Sequence, residues 1–250
     1  MFERFFNKAK KLKNDVFIID YEETPQEERF FGEIEGYSDL KKLLSKMLVS
    51  KESMHAVLVG PPASGKTLFL LAIQQKMKDC FFVDATNASG PGTVDKLFAY
   101  PRTKILLIDE IEKMEKNSQN MLLNLLETGV LTVTKVRKTQ EMNFPGIKLF
   151  ATSNNIELLT NPLRSRLMEL HLPEYAFGDF EKIVIKLAGT KYKLDEVVGR
   201  KIADTVWNQM DTKDVRDALQ LAKLVTCVEE VEETAKTIMK YGGKKEQAEP

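Results

Sequence analysis

One short segment constrains what this chain can fold into more than any other. Gly60–Thr67 reads GPPASGKT and matches the phosphate-binding pattern G-x-x-x-x-G-K-S/T. The apolar run Ala56–Val59 before it predicts a buried strand, and Leu68–Ile73 after it begins a helix-length segment. A strand, a glycine-bearing loop and a helix N-terminus together form a cradle of backbone N–H groups for an anion. The complete motif with both flanks argues against a chance glycine-rich turn.

This phosphate loop predicts a site for a nucleotide such as ATP or ADP. Lys66 is expected to reach the β- and γ-phosphates, and the Thr67 hydroxyl is expected to ligate Mg²⁺. Contacts with the nucleotide are expected along the whole loop and at the residue after it, that is at Gly60, Pro61, Pro62, Ala63, Ser64, Gly65, Lys66, Thr67 and Leu68.

An acidic pair follows a second apolar run. Ile105–Ile108 predicts a buried strand, and it leads directly into Asp109 and Glu110. Ligands of parallel sheets bind at the carboxyl ends of the strands, so this pair is expected beside the phosphates. Asp109 is expected to hold Mg²⁺, directly or through water, and Glu110 to orient and polarise an attacking water molecule. The alternative is a pair of structural acids at a strand end.

The next predicted strand and the segment after it supply further polar candidates. Asn154 follows the strand Ile147–Ala151, where its amide can position the water and sense the γ-phosphate. Arg164 and Arg166 follow Pro162, and an arginine presented to a neighbouring subunit can stabilise charge on a transferring phosphoryl group. Asparagine is also a common turn residue, and the two arginines can be a surface pair, so both alternatives stay open.

Arg216 is the last candidate for a phosphate contact. It lies in the predicted first turn of a helix that Thr212 and Asp214 can cap. An arginine opposes the helix dipole at that position and needs a compensating anion. A nucleotide phosphate can supply this anion, and so can Asp214 or Asp217.

The order of the predicted elements indicates an α/β fold. Near-continuous apolar strands alternate mostly with helical patterns, and they lie at Ala56–Val59, Cys80–Val83, Ile105–Ile108, Ile147–Ala151 and Leu170–Leu172. We therefore predict, over residues 30–174, a five-stranded parallel sheet of the P-loop NTPase type with helices on both faces. After Pro173 only helical patterns remain, which predicts a small α-helical domain over residues 175–241.

One insertion interrupts this alternation. Residues 130–144 read VLTVTKVRKTQEMNF and are rich in β-branched side chains, which predicts a β-hairpin. Lys135, Arg137 and Lys138 lie near its middle and are possible nucleic-acid contacts. The alternative is a structural hairpin with a solvated, charged end.

The two ends of the chain carry their own patterns. Residues 1–29 predict a basic amphipathic helix, with Phe2, Phe5 and Phe6 on one face, followed by an acidic connector. Such a helix can bind a membrane surface, nucleic acid or a partner's groove, or its phenylalanines can dock on the body of the protein. Residues 242–250 are polar and predict a disordered tail.

Composition narrows the class of protein. The 250 residues are 43% hydrophobic and 30% charged, as in ordinary globular proteins. The 37 basic and 37 acidic residues give a formal net charge of zero, so any nucleic-acid site must be local. Cys80 and Cys227 are too few for a disulfide framework or a zinc site. We see neither a signal peptide nor an apolar run of about 20 residues, and therefore expect a cytoplasmic protein.

These motifs, in this order and spacing, resemble the AAA+ ATPases over roughly Phe30 to Cys227. Gly60–Thr67 resembles Walker A and Ile105–Glu110 resembles Walker B. The same resemblance makes Asn154 sensor 1, Arg166 the arginine finger with Arg164 as second choice, and Arg216 sensor 2, while the helical domain matches the lid. A hairpin between Walker B and sensor 1 resembles the branch that contains RuvB-type branch-migration motors, Lon and MCM-like helicases.

The resemblance implies Mg²⁺-dependent ATP hydrolysis by a ring-shaped homo-oligomer, a hexamer in many members. Its action on DNA, as a translocase or helicase in recombination, repair or replication, is the first hypothesis. A protein-remodelling or clamp-loader-like ATPase is the second, and a slowly hydrolysing switch module is the third. An accessory protein for substrate recognition and membrane recruitment through the N-terminal helix are compatible with each of them.

Overall fold

The computed structural model describes residues 26–86, 97–135 and 138–241, and the side chains of residues 133–140 are outside that description. The predicted N-terminal helix, the tail 242–250 and Arg137 lie outside the described residues. The central element is a sheet of five parallel strands in the order β2-β3-β6-β1-β7. Its strands are β1 (His55–Val59), β2 (Cys80–Asp84), β3 (Ile105–Asp109), β6 (Lys148–Ser153) and β7 (Met168–His171). The predicted parallel sheet is therefore confirmed, with each strand within two residues of its expected position.

Helices cover both faces of the sheet. Alternate strand residues point to opposite faces, so Val57 and Leu106 pack with α4 (Lys116–Thr128), while Leu58 and Leu107 lie on the other side. That second face is covered by α1 (Gln26–Phe31), α2 (Ser38–Val49) and α3 (Lys66–Lys76). Strands buried on both faces read as continuous apolar runs, which explains the pattern of the sequence.

The first described helix begins inside the segment that was predicted to be an acidic connector. Residues up to 29 were predicted to be an acidic connector, but α1 begins at Gln26. Its last residues, Phe30 and Phe31, are buried in the core cluster under α2 and α3, and Phe31 packs against Phe69 with ring centroids 5.4 Å apart. Burial of these two aromatic rings is sufficient reason for the chain before them to become helical.

A buried lysine joins α2 to the sheet. Lys148, at the start of β6, donates hydrogen bonds to the carbonyl oxygens of Met47, Leu48 and Ser50 at 2.9, 2.8 and 2.6 Å. These carbonyls belong to the C-terminal end of α2, where a cation is favoured by the helix dipole. Burial lowers the pKa of Lys148, and the three acceptors compensate the ammonium for its lost hydration.

The predicted hairpin is present. Strands β4 (Val130–Lys135) and β5 (Lys138–Asn143) pair antiparallel, with Lys135 directly opposite Lys138. Leu131 and Phe144 are buried and anchor the base of the hairpin in the core beside α4. The hairpin therefore lies between β3 and β6 along the chain without entering the main sheet.

The described chain after β7 is helical, as the loss of strand signals predicts. The helices are α6 (Phe177–Tyr192), α7 (Glu196–Asn208), α8 (Val215–Ala222) and α9 (Val228–Tyr241), and they share a separate apolar core. A short helix α5 (Asn161–Arg164) precedes β7. None of the described helices is long and apolar enough to cross a membrane.

Candidate nucleotide site

The parallel register brings all five strand ends to one edge of the sheet. Val59 is paired with Ser153 on one side and His171 on the other, and Asp84 is paired with Asp109. The phosphate loop leaves β1 at this edge, and Glu110 and Asn154 follow β3 and β6 there. The sequence predicts that these polar groups converge at the carboxyl ends of the strands, and the parallel pairing of the strands is the reason why they do.

The backbone of the phosphate loop explains its glycines. Gly65 has a φ of 82°, in the left-handed region that favours glycine, and α3 begins directly after it. A Cβ atom on Gly65 would overlap the Tyr175 hydroxyl, and one on Gly60 would lie 2.6 Å from the Leu172 carbonyl oxygen. The loop is therefore packed closely against the segment that leads into the helical domain.

Lys66 is folded into the loop. Its ammonium donates to the carbonyl oxygens of Gly60 and Pro61 at 2.8 and 2.6 Å and to the Ser64 hydroxyl at 3.3 Å. Burial lowers the pKa of Lys66, and the nearby carboxylates, Glu112 first among them, act in the opposite direction. A phosphate group in the loop would offer this ammonium a charged acceptor in place of neutral carbonyls.

Thr67 and Asp109 form a compact pair of oxygen ligands. The Thr67 hydroxyl lies 3.0 and 3.1 Å from the two carboxylate oxygens of Asp109, and the Thr152 hydroxyl donates to Asp109 at 2.5 Å. Magnesium is usually held by one or two protein oxygens together with phosphates and water. Thr67 and Asp109 are a hydroxyl and a carboxylate that lie side by side, and such oxygen donors suit Mg²⁺ in this mode.

Glu110 is fixed from three directions. Its carboxylate accepts a hydrogen bond from the Thr86 hydroxyl at 2.7 Å and another from the Asn154 amide at 3.3 Å. Its backbone N–H donates to the Thr152 hydroxyl at 2.9 Å, and its φ of 53° is unusual for a residue other than glycine. The structure thus brings the predicted pair Glu110 and Asn154 together. Such strained backbone often occurs where a side chain must be aimed at a ligand.

Glu112 is a further acid at this edge that the sequence analysis missed. It is 7% exposed, and one carboxylate oxygen accepts the backbone N–H of Asn154 at 2.9 Å. Within the described residues the other oxygen is buried without a hydrogen-bond partner. Glu112 therefore fixes the backbone of Asn154 and places negative charge near Lys66. Its position in the acidic run Asp109–Glu112 was the only signal for it in the sequence.

The two arginine candidates occupy different environments. Arg164 contacts Glu169 at 2.5 Å and Glu157 at 2.8 Å, and its side chain is 29% exposed. These hydrogen bonds raise the pKa of Arg164 and lower the pKa of Glu169. Arg166 is 52% exposed and contacts the Glu127 carboxylate at 2.5 Å. Arg166 is therefore the more accessible of the two guanidinium groups.

Arg216 is paired with Asp214, one of the anions that the sequence analysis considered for it. Asp214 caps α8 by accepting the backbone N–H of Arg216 at 2.8 Å. The same carboxylate contacts the Arg216 guanidinium at 2.6 Å, and this side chain is 71% exposed. The hydrogen bonds with Asp214 raise the pKa of Arg216. A role for Arg216 at the nucleotide stays a prediction.

Two tyrosines on the side of the helical domain were not found from the sequence. The Tyr37 hydroxyl lies 3.1 Å from the Ser64 carbonyl oxygen of the phosphate loop and 2.9 Å from the Pro173 carbonyl oxygen. The ring of Tyr175 lies 5.4 Å from that of Tyr37, and burial raises the pKa of Tyr175 to about 12. Lone tyrosines outside a motif give no signal in one sequence.

Comparison with known proteins agrees with this geometry. Residues 56–173 match the family described as ATPase family associated with various cellular activities (AAA). This segment is similar to an AAA ATPase domain. The matched segment contains nearly all of the parallel sheet, the phosphate loop, the acidic pair, Arg164 and Arg166.

The relatives found by sequence comparison are RuvB subunits. The chain is 27% identical over 226 residues to the Holliday junction branch migration complex subunit RuvB of Ehrlichia canis (strain Jake), which covers 84% of this chain and 65% of that protein. It is 26% identical over 216 residues to the RuvB subunit of Anaplasma marginale (strain Florida), covering 77% and 64%. The chain thus spans less than two thirds of the length of these relatives.

The fold is similar to a solved structure titled Thermotoga maritima RuvB Holliday junction branch migration motor. The TM-score is 0.63 at 20% identity, and the match covers 85% of this chain and 73% of that one. At this identity the likeness shows the fold, which is the α/β P-loop NTPase sheet followed by a helical region.

Proposed function

We propose that this chain is the ATPase part of an oligomeric AAA+ motor that hydrolyses ATP with Mg²⁺ and acts on DNA. One observation carries the hydrolytic part of the proposal. Glu110 is held between Thr86 and Asn154 at the sheet edge where Thr67 meets Asp109. A site that only bound nucleotide would not need a carboxylate aimed in this way.

Each of these residues has a distinct role in the proposed reaction. Lys66 exchanges the loop carbonyls for the β- and γ-phosphates, and Thr67 and Asp109 hold the metal. Magnesium, when bound, would neutralise charge on the phosphates. Glu110 accepts a proton from the attacking water, and the Asn154 amide orients that water toward the γ-phosphate. Arg216 is proposed to contact the phosphates after leaving Asp214.

The proposed active form is a ring, a hexamer by family resemblance. Arg166 is exposed and held by one exposed carboxylate, so it can exchange Glu127 for the γ-phosphate in a neighbouring subunit. Arg164 is held by two carboxylates of its own chain and is less suited to that exchange. The site is thus proposed to be completed between subunits.

DNA is the proposed substrate because the relatives are named as Holliday junction branch migration subunits and the hairpin has a basic tip. Its register places Lys135 opposite Lys138, with Arg137 between them in the sequence. Three basic residues within positions 135–138 of the sequence form a local cluster of positive charge, and such a cluster suits an anionic partner. The formal net charge of zero gives no global support for DNA binding, and the second candidate is an AAA+ ATPase that remodels a protein partner or loads a clamp. An accessory chain for substrate recognition is compatible with both.

The hydrolytic role is tested by Glu110→Gln. This variant keeps the size of the side chain and one oxygen that accepts a hydrogen bond, and it removes the proton acceptor because an amide NH2 replaces the second oxygen. We expect ATP to bind with little change while kcat falls by about 10² to 10⁴, the range for loss of a general base. Binding is measured by calorimetry and hydrolysis by phosphate release. Glu52→Gln, an exposed site before β1 at the opposite edge of the sheet, is the matched control. Unchanged turnover in Glu110→Gln would remove Glu110 from the role of base.

The DNA role is tested by ATPase rates with branched, duplex or single-stranded DNA, or none, across a salt series. We expect branched DNA to stimulate hydrolysis most, and the stimulation to fall steeply with salt because phosphate contacts release counterions. Replacing Lys135, Arg137 and Lys138 with Glu should abolish this stimulation and leave the DNA-independent rate unchanged. Stimulation by a protein partner together with indifference to DNA would favour the second candidate.

A further inference from the structure

Tyr37 connects two segments that are far apart in the chain. It lies between α1 and α2 with a φ of 55°, in the left-handed region. Its hydroxyl has one hydrogen but two carbonyl acceptors, Ser64 in the phosphate loop at 3.1 Å and Pro173 between β7 and the helical domain at 2.9 Å. One hydrogen can fully satisfy only one of these acceptors at a time. A shift of either carbonyl therefore changes the bond to the other.

The ring of Tyr37 is held in place by contacts with two other aromatic rings. It packs edge-on against Phe69 of α3, with centroids 6.0 Å apart, and against Tyr175, with centroids 5.4 Å apart. Phe69 is fully buried, and the Tyr175 hydroxyl lies against Gly65. Burial, with Tyr175 and Asp179 nearby, raises the pKa of Tyr37, so its hydroxyl stays a hydrogen-bond donor.

The residues just before Tyr37 also contact the helical domain. The ammonium of Lys186, on α6, contacts the Glu35 carboxylate at 2.7 Å and the Glu33 carbonyl oxygen at 3.4 Å. A Cβ atom on Gly36 would lie 3.1 Å from a carboxylate oxygen of Asp179. Residues 33–37 are thus placed between the phosphate loop and α6. Tyr37 has a polar contact with the loop as well as with Pro173. Pro173 lies in the segment between β7 and α6, which we call the hinge.

We propose that Tyr37 is a positioning residue that couples the conformation of the phosphate loop to the orientation of the helical domain. The inference rests on the proposed function, because phosphates are what would draw Lys66 from the carbonyls of Gly60 and Pro61. Without nucleotide the phenol hydrogen is shared between the carbonyls of Ser64 and Pro173. When the Ser64 carbonyl moves with the loop, this hydrogen is donated to Pro173 alone. The hydroxyl thereby converts occupation of the loop into a restraint on the hinge.

The test uses Tyr37→Phe, which keeps the ring contacts and removes the hydroxyl. Spin labels on Lys76→Cys in α3 and Lys223→Cys at the end of α8, with Cys80 and Cys227 changed to Ser, report the distance between the two domains. It is measured without nucleotide and with Mg-ADP in the full chain. Tyr100→Phe, exposed at the amino end of β3, is the matched control. Lys186→Gln removes the ammonium of α6 that contacts the Glu35 carboxylate and the Glu33 carbonyl oxygen.

We expect Tyr37→Phe to broaden the distance distribution without nucleotide and to reduce the shift that Mg-ADP produces. The kcat for ATP should fall about three- to tenfold, the equivalent of one neutral hydrogen bond, with the affinity for ADP less affected. Tyr100→Phe and Lys186→Gln should respond like the parent. A Tyr37→Phe distribution that matches the parent in both states overturns the proposal. Broadening with an unchanged response to Mg-ADP also overturns it, because the contact is then only structural.

The proposed function fails separately from this inference. If calorimetry detects no binding of Mg-ADP to the parent chain, the proposed ATPase function is wrong and the coupling falls with it. The distance distribution without nucleotide still decides whether the Tyr37 hydroxyl restrains the hinge. If the parent binds Mg-ADP and Tyr37→Phe behaves like the parent, only the coupling is wrong.

Discussion

The sheet edge and the segment that carries Arg164 and Arg166 differ in how fully one chain satisfies their charged groups. At the edge, Lys66 has three acceptors within the phosphate loop, and Glu110 has two side-chain donors. Arg164 resembles these groups because two carboxylates hold it. Arg166 differs, since more than half of its side chain is exposed and one carboxylate contacts it.

This difference separates residues that work inside the chain from one that is available to another molecule. Removing a partner from a closed network leaves charged groups unsatisfied, so such residues affect both stability and chemistry. An exposed ion pair contributes little to stability, typically about 0–1 kcal/mol. Arg166 can therefore leave Glu127 at low cost, and this availability is the basis for its proposed action between subunits.

The largest expected effect that tests this comparison is on Arg166. Arg166→Ala should lower kcat by about 10³ or more, the range for an arginine that stabilises the transferring phosphoryl group, while thermal stability stays close to the parent. Mixing Arg166→Ala with Lys66→Ala should restore part of the activity, because one interface of a mixed ring then holds an intact Arg166 and an intact phosphate loop. Phosphate release is measured over a range of mixing ratios. No recovery, with both variants folded and able to assemble, would contradict action between subunits.

Arg164 and Arg102 complete that experiment. Arg164→Ala leaves Glu157 and Glu169 without their shared cation, so we expect the midpoint of thermal unfolding to fall by a few degrees. Mixing with Lys66→Ala should not correct this loss, because it arises within the chain. Arg102→Ala, exposed near the amino end of β3, should match the parent in both measurements. If Arg164→Ala behaves as predicted for Arg166→Ala, the assignment of the two arginines is reversed.

Much of the fold could be predicted from the sequence because its signals are local. A strand that is buried on both faces needs a continuous apolar run, and Ile105–Ile108 shows one. The phosphate loop is a contiguous motif, so Gly60–Thr67 could be recognised before any contact was known. Parallel strands then bring Glu110 and Asn154 to the same edge without further information.

The remaining site residues are isolated polar side chains whose roles depend on tertiary contacts. Thr86 lies 24 residues from Glu110 in the sequence, and Thr152 is one of two hydroxyl residues in a strand that is buried throughout. Tyr37 follows Gly36 and looks like an ordinary residue before a helix. Helix α1 was not predicted for a related reason, since the burial of Phe30 and Phe31 against α2 and α3 is a tertiary contact that the acidic composition of the segment before them does not reveal.

Thr86 offers the finest test of the closed edge of the sheet. Thr86→Val keeps the branched shape and removes the hydroxyl that donates to Glu110 at 2.7 Å. The Asn154 amide remains as a donor, so the carboxylate is less restrained but not unpartnered. Loss of a hydrogen bond to a charged acceptor costs about 1.5–3 kcal/mol at most. We therefore expect kcat to fall about tenfold, while the affinity for nucleotide stays close to that of the parent. Thr86→Ser keeps the hydroxyl and should retain the kcat of the parent. If kcat changes equally in Thr86→Ser and Thr86→Val, then packing at residue 86, rather than its hydrogen bond, controls Glu110.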